Sequence, residues 1–204
     1  VPVERLVLAT ANEDKAREIV AIVEAACGSA IVLLPRPPDV PEVEETGETL
    51  EENALLKAHA LAAAAGLPAL ADDTGLEVDA LGGAPGVFSS RYSGEHATYA
   101  ENVAKLLREM SGATDRRARF RTVAALSVPG GEPILAEGSV EGEIATEARG
   151  AGGFGYDPVF VPAGAGGRTF AEMDLAEKNA WSHRGRAFRA MAAKLAASRP
   201  SPPP

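Results

Sequence analysis

The sequence predicts an α/β fold with a mixed β-sheet, and three observations predict it. Short apolar runs alternate with amphipathic helical stretches through the first half, capping-box patterns open helices at Thr49 and Thr98, and β-rich sequence follows beyond Met110. The chain of 204 residues, 46% apolar and 24% charged, is long enough for one substantial core and has an ordinary globular composition. The expected organisation is a single domain over residues 1–197 followed by a disordered Pro-rich tail at 198–204.

In order along the chain, residues 5–10 form a short apolar strand, and Asn12-Glu13-Asp14 make a polar turn before Ile19, Ile22 and Val23 recur at helical spacing. A second strand is expected over 31–34. After a Pro-rich acidic loop, Thr49-Leu50-Glu51-Glu52 opens a helix that ends near Gly66 and carries Asn53 and Lys57. Residues 68–71 read as a strand running into an acidic turn, Ala71-Asp72-Asp73-Thr74-Gly75, with a glycine-rich stretch at 81–86. Thr98-Tyr99-Ala100-Glu101 starts a helix through about Met110, and 119–128 and 134–145 form a hairpin around Pro129-Gly130-Gly131. The loop 152–158 feeds a strand at 159–161, and helical sequence resumes at 174–177 and again from Ser182.

The formal charge of −9 opposes binding to a nucleic-acid backbone, so a small anionic substrate would have to be handled by local basic groups. Cys27 is the single cysteine, which excludes an internal disulfide and fits a reducing cytoplasm. The start Val1-Pro2-Val3-Glu4-Arg5 has no signal-peptide pattern, and the apolar stretch 58–71 is interrupted by His59, Gly66 and Pro68. A soluble protein without membrane or nucleic-acid partners is expected.

Several residues carry chemical potential. Thr10, Asn12 and Lys15 place a hydroxyl, an amide and an ammonium at a helix start, which suits either phosphate or an ordinary helix cap, and no Walker-type loop exists in the chain. Asp72 and Asp73, with Glu44-Glu45 upstream, supply hard oxygen ligands of the kind magnesium takes, or cap a turn. Adjacent side chains of a strand point to opposite faces, so the two aspartates share one metal only if the strand bends. Asn53 and Lys57, one helical turn apart, face the same way. Phe154 offers a stacking face and Asp157 a polar edge in a glycine-rich loop, and Lys178, Ser182, His183 and Arg184 gather donors suited to a purine 6-oxo group. His59 and His96 have no partner at metal-ligand spacing.

Taken together, Thr10-x-Asn12-x-x-Lys15, Glu44-Glu45-Thr46-Gly47, the acidic segment 71–75, Gly82-Gly83-Ala84-Pro85-Gly86, Gly153-Phe154-Gly155-Tyr156-Asp157-Pro158 and Ser182-His183-Arg184-Gly185 resemble the inosine triphosphate pyrophosphatase family, the Ham1-like non-canonical purine NTP pyrophosphatases. The resemblance spans about residues 5–195. It implies a long mixed sheet flanked by helices, two lobes with a substrate cleft, a homodimer, and Mg2+-dependent hydrolysis of ITP, dITP and XTP to monophosphate and pyrophosphate. By the same resemblance, Thr10, Asn12 and Lys15 hold phosphates, and Glu45 and Asp73 bind metal, with Asp73 the proton acceptor. Thr74, Phe154, Gly155, Tyr156, Asp157, Lys178, His183 and Arg184 contact substrate, with Asp72, Asn53 and Lys57 as further contributors. Ala11 stands where many relatives have glycine, which matters only where that residue takes a positive φ.

Two rival chemistries differ in their products or substrates: a haloacid dehalogenase-type phosphatase, which uses Asp-x-Asp spacing and releases orthophosphate, and a Maf-type pyrimidine pyrophosphatase. A regulatory nucleotide-binding module would use the same phosphate turn without turnover.

Overall fold

The computed structural model of the chain describes residues 5–41 and 43–197. The expectations for the leaderless start at 1–4 and the disordered tail at 198–204 lie outside them. Strand β1 (Arg5–Leu8) buries three of its four residues and leads into helix α1 (Glu13–Cys27). The Asn12 side chain caps α1 by accepting from the backbone N–H groups of Asp14 and Lys15, and Gly28 at φ 55° ends it. The buried stripe of α1 is Glu18, Ile19, Ile22 and Val23. Strand β2 (Val32–Leu34) follows, then α2 (Leu50–Ala65), whose capping box is complete: Thr49 accepts from the N–H of Glu52, and the Glu52 carboxylate accepts from the N–H of Thr49.

Strand β3 (Ala69–Val78) departs from expectation. The acidic segment is no turn: Asp72, Asp73, Thr74 and Gly75 all lie within one extended strand of ten residues. Strand alternation therefore sends the two aspartates to opposite sides. Strand β4 (Pro85–Gly86) pairs antiparallel with β3, and α3 (Tyr99–Glu109) opens with the second complete capping box, Thr98 with Glu101. The hairpin strands are β5 (Arg117–Ser127) and β6 (Ile134–Ile144), neighbours in the sheet. Strand β7 (Phe160–Pro162) begins one residue later than expected, because the N–H groups of Val159 and Phe160 are still bonded to the Tyr156 carbonyl in the preceding turn. The last helical region is two helices, α4 (Leu175–Trp181) and α5 (His183–Ala197), broken where Ser182 turns extended at ψ 155°.

The sheet runs β2-β1-β3-β5-β6-β7, with β1 parallel to both β2 and β3 and β7 antiparallel to β6. This is the mixed sheet flanked by helices that the sequence predicts. The chain divides into two compact units, and β3, β5 and β6 each contribute to both. Among the described residues the first unit comprises those of 5–73, 122–138 and 184–197; its core gathers Leu6, Ile19, Leu70, Leu126, Phe188 and Met191. The second comprises 74–121 and 139–183, with Leu76, Leu106, Met110, Phe120, Phe160 and Phe170 inside. Among the described residues no helix is long and apolar enough to cross a membrane.

Candidate active site

In the first unit, α2 lays Asn53 and Lys57 against the end of its β3 segment. Both are polar residues on the helix's buried side, where Leu50, Ala54, Ala58 and Leu61 supply the apolar contacts. The Lys57 ammonium donates to Asp73 at 2.7 Å and to Glu45 at 2.8 Å, and the Asn53 amide donates to Asp73 at 3.5 Å. Asn53 also fixes the loop carrying Glu45, since its Oδ1 accepts from the N–H of Gly47 at 2.8 Å. Only glycine fits there: a Cβ on Gly47 would stand 2.7 Å from both Asn53 Oδ1 and Glu52 Cβ.

Electrostatics follow from that packing. Burial pushes the Asp73 carboxyl above its ordinary value; Lys57 opposes the rise and Glu45 adds to it. Burial acting alone would lower the Lys57 ammonium, but Asp73, then Glu45 and Asp72, outweigh it and hold the group above the usual lysine value.

Asp72, on the other side of the strand, belongs to a different set. Its carboxylate lies 3.6 Å from Lys15 Nζ and 3.5 Å from Arg184 Nε, and Arg184 in turn donates to Glu18 at 2.5 Å. Arg184, Glu18 and Asp72 are all buried. Lys15 is lowered from the ordinary lysine value by burial, which Asp72 offsets only in part while Lys57 and Arg184 add to the lowering. Thr10 and Asn12 serve locally as well: Thr10 Oγ1 accepts from the N–H of Asn12, and Asn12 already takes two of the N–H groups at the start of α1. Ala11 carries no strain, because no described residue other than glycine has a positive φ.

The second unit holds the glycine-rich loop. The buried Asp157 carboxylate accepts from the N–H of Phe154 at 2.8 Å and from the Lys178 ammonium at 2.5 Å, so it closes the loop and holds the lysine at once. Lys178 Nζ lies 4.7 Å from the centroid of the half-buried Phe154 ring. Gly153 is required by both conformation and space: its φ is +68°, and a Cβ would stand 2.2 Å from Asp157 Oδ2. The Tyr156 ring is buried and its hydroxyl donates to the Ser89 carbonyl at 2.9 Å, so this side chain anchors the loop, and burial pushes the phenol up. His183 is buried with its ring stacked on Phe120 at 4.4 Å, and Phe170 touches Phe120, Phe160 and His183.

The structure thus sorts the sequence-predicted residues into clusters. Glu45, Asn53, Lys57 and Asp73 form one, and Lys15, Asp72 and Arg184 a second, joined by Glu18. Phe154, Asp157 and Lys178 form a third, with Gly155 at φ +61° inside its loop. Thr74 lies half-buried in β3 as the first residue of the second unit. The run Lys178–Arg184 divides: Lys178 and His183 belong to the second unit, whereas Arg184 pairs with Glu18 and Asp72 in the first. Glu18, Phe120 and Phe170 escaped the sequence reading. Glu18 left a signal, a carboxylate on the same stripe of α1 as Ile19 and Ile22, where a charge requires a buried partner.

The family model described as the Ham1 family matches residues 6–194. The chain belongs to the Ham1 family. Among its relatives, a protein of Streptomyces avermitilis named dITP/XTP pyrophosphatase is 50% identical over 188 residues, covering 91% of this chain and 94% of that protein. Another of that name, from Geobacter sulfurreducens, is 52% identical over 186 residues, covering 90% of this chain and 92% of its own length. The structure of a Ham1 protein from Coxiella burnetii superposes with a TM-score of 0.86 at 44% identity, covering 96% of this chain and 100% of that one.

Among the described residues no three histidine, cysteine, aspartate or glutamate side chains gather as a metal site. The carboxylates of Glu45 and Asp73 do meet, on the Lys57 ammonium. Two hard carboxylates suit a magnesium ion, which usually takes one or two of them and completes its shell with substrate oxygens and water.

Proposed function

We propose that this chain, acting as one pyrophosphatase domain over 1–197, hydrolyses non-canonical purine nucleoside triphosphates (ITP, dITP and XTP) to the monophosphate and pyrophosphate, with Mg2+ as cofactor. The observation that carries the reading is the meeting of Glu45 and Asp73 on the half-buried Lys57 ammonium, and the names of its Ham1 relatives support it.

Glu45 and Asp73 would hold the metal, which when bound neutralises polyphosphate charge and acidifies water. Asp73 orients a water toward the α-phosphorus and accepts its proton; a carboxyl raised by burial is a better acceptor than an ordinary aspartate. A water oxygen–phosphorus bond forms as the bond to pyrophosphate breaks. Lys57, kept charged by its carboxylates, and Lys15 neutralise the leaving pyrophosphate. Asp72 favours a supporting part, since its carboxylate already faces Lys15 and Arg184.

The purine is read in the second unit, with Phe154 as stacking face and Lys178 and His183 as donors to a 6-oxo group. A 6-amino group would present hydrogens to those donors and leave them unsatisfied, which disfavours ATP. Thr10, Asn12, Thr74, Gly155, Tyr156 and Asp157 shape the substrate's surroundings, and Arg184 acts from Asp72. We place the enzyme in the cytoplasm as a homodimer that cleanses the nucleotide pool.

A nucleotide panel with and without Mg2+, with both products identified, tests the whole reading. The expected result is magnesium-dependent release of pyrophosphate plus monophosphate from ITP, dITP and XTP, with little from ATP. Release of orthophosphate, or equal turnover of ATP and ITP, would refute it.

A further inference from the structure

We infer that Tyr99 is a positioning residue for purine recognition, acting through Phe154. The inference rests on the reading of Phe154 as the stacking face and goes beyond it, since that reading gives Tyr99 no part in recognition.

Tyr99 is the first residue of α3, and at 42% exposure it is among the most exposed large apolar side chains of the described residues. A helix start has no need of an aromatic ring in water. Here the ring has a partner: its centroid lies 5.9 Å from that of Phe154, inclined at 42°. This separation lies in the range of favourable aromatic pairs.

The base beneath Tyr99 is fixed several times over. The Thr98–Glu101 capping box closes the first turn of α3. One turn on, the buried Asn102 accepts from the N–H of Ser93 at 2.7 Å and donates to the Ser90 carbonyl at 3.0 Å, and Lys105 donates to the Tyr92 carbonyl at 2.6 Å. Phe154 is held at its backbone through the Asp157 carboxylate, and its half-buried ring has Lys178 over it. Tyr99 therefore supplies from a rigid helix a lateral support that limits the orientations of the stacking ring. Ordering that ring before substrate arrives lowers the entropy lost on binding, so the effect appears in KM. The contact with Phe154 is made by the ring.

The test is steady-state kinetics with ITP on the wild type, Tyr99→Ala, Tyr99→Phe, Phe154→Ala and the Tyr99→Ala/Phe154→Ala double variant, together with thermal melting. Inorganic tripolyphosphate serves as a competitive inhibitor that has no base. Tyr99→Ala is expected to raise KM roughly two- to twelvefold, the fold-change that one aromatic pair is worth. Its kcat and its inhibition by tripolyphosphate are expected to stay as in the wild type, its melting temperature to fall by no more than the loss of one aromatic pair accounts for, Tyr99→Phe to restore KM, and the alanine at 99 to add nothing once Phe154 is gone. An unchanged KM in Tyr99→Ala while Phe154→Ala raises it would overturn this role alone. So would weakened tripolyphosphate inhibition, or an undiminished effect in the double variant. If Phe154→Ala itself leaves KM unchanged, the assignment of the stacking face fails and this role falls with it.

Discussion

The first unit builds its candidate machinery almost wholly from charge, whereas the second builds its own from rings around one buried ion pair. In the first, Lys57 stands between Glu45 and Asp73, and Arg184 between Glu18 and Asp72, so every buried charge is balanced by opposite charge on another element. In the second, Lys178 and Asp157 make the buried pair, the lysine lies over the Phe154 and Phe170 rings, and His183 packs on Phe120 and beside Phe170. The difference teaches what each can recognise. Paired charges can re-pair with phosphate oxygens and a metal, and their number suits a polyanion. Aromatic faces and a fixed donor suit a flat, weakly polar base, where selectivity comes from leaving buried donors unsatisfied by the wrong ligand.

The largest effect should come from the first unit. Asp73→Asn and Lys57→Met are each expected to lower kcat by about 10²–10⁴-fold while the fold survives, measured as pyrophosphate release alongside a melting curve. Near-normal turnover in Asp73→Asn would remove the central role given to that carboxylate. Next, Gly153→Ala is expected to raise KM for ITP by up to about a hundredfold with unaltered inhibition by tripolyphosphate, because the added Cβ displaces Asp157 and with it Phe154 and Lys178. Equal losses for ITP and for tripolyphosphate would erase the division of labour between the units.

A smaller effect sharpens the electrostatic half of the comparison. In metal-free protein, an NMR titration of the Asp73 carboxyl should give a midpoint above the ordinary 3.8, because burial outweighs Lys57. Lys57→Met should move it further up and Glu45→Gln down, since the first removes an attraction and the second a repulsion. The sign for stability is then fixed: between 3.8 and the raised midpoint the native state binds more protons than the unfolded chain, so this group's contribution falls as pH rises through that window. Lys57 acts at the other end, contributing fully below the ordinary 10.5 and losing that contribution as pH rises through its raised value.

The smallest effect belongs to a surface pair of the second unit. The side chain of Arg117 holds the Asp115 carboxyl down to about 2, so its contribution is present above 3.8 and is lost as pH falls through about 2. Both groups are exposed, and Arg117→Ala should shift the melting temperature at neutral pH far less than any of the buried-site variants does. A comparable shift would mean that exposed and buried pairs count alike here.

The sequence by itself determined most of the elements and named most of the side chains that the structure gathers into clusters. The capping boxes at Thr49 and Thr98, Asn12 before α1 and Gly66 after α2 are local devices, decided by side chains within four residues of the groups they satisfy. Asn53 and Lys57 were legible as neighbours because helical spacing alone puts them one turn apart. Partnership across the chain was not legible. The segment at 71–75 read as a turn because its acids and glycine are turn formers, yet pairing with neighbouring strands kept it extended and sent Asp72 to Arg184, 112 positions away, and Asp73 to Lys57. The separation of Arg184 from Lys178, the support of His183 by Phe120 and the approach of Tyr99 to Phe154 were likewise settled by tertiary structure. A residue's hydrogen-bonding appetite is written in its side chain, but which distant group satisfies it depends on how sheet register and helix packing bring remote segments together.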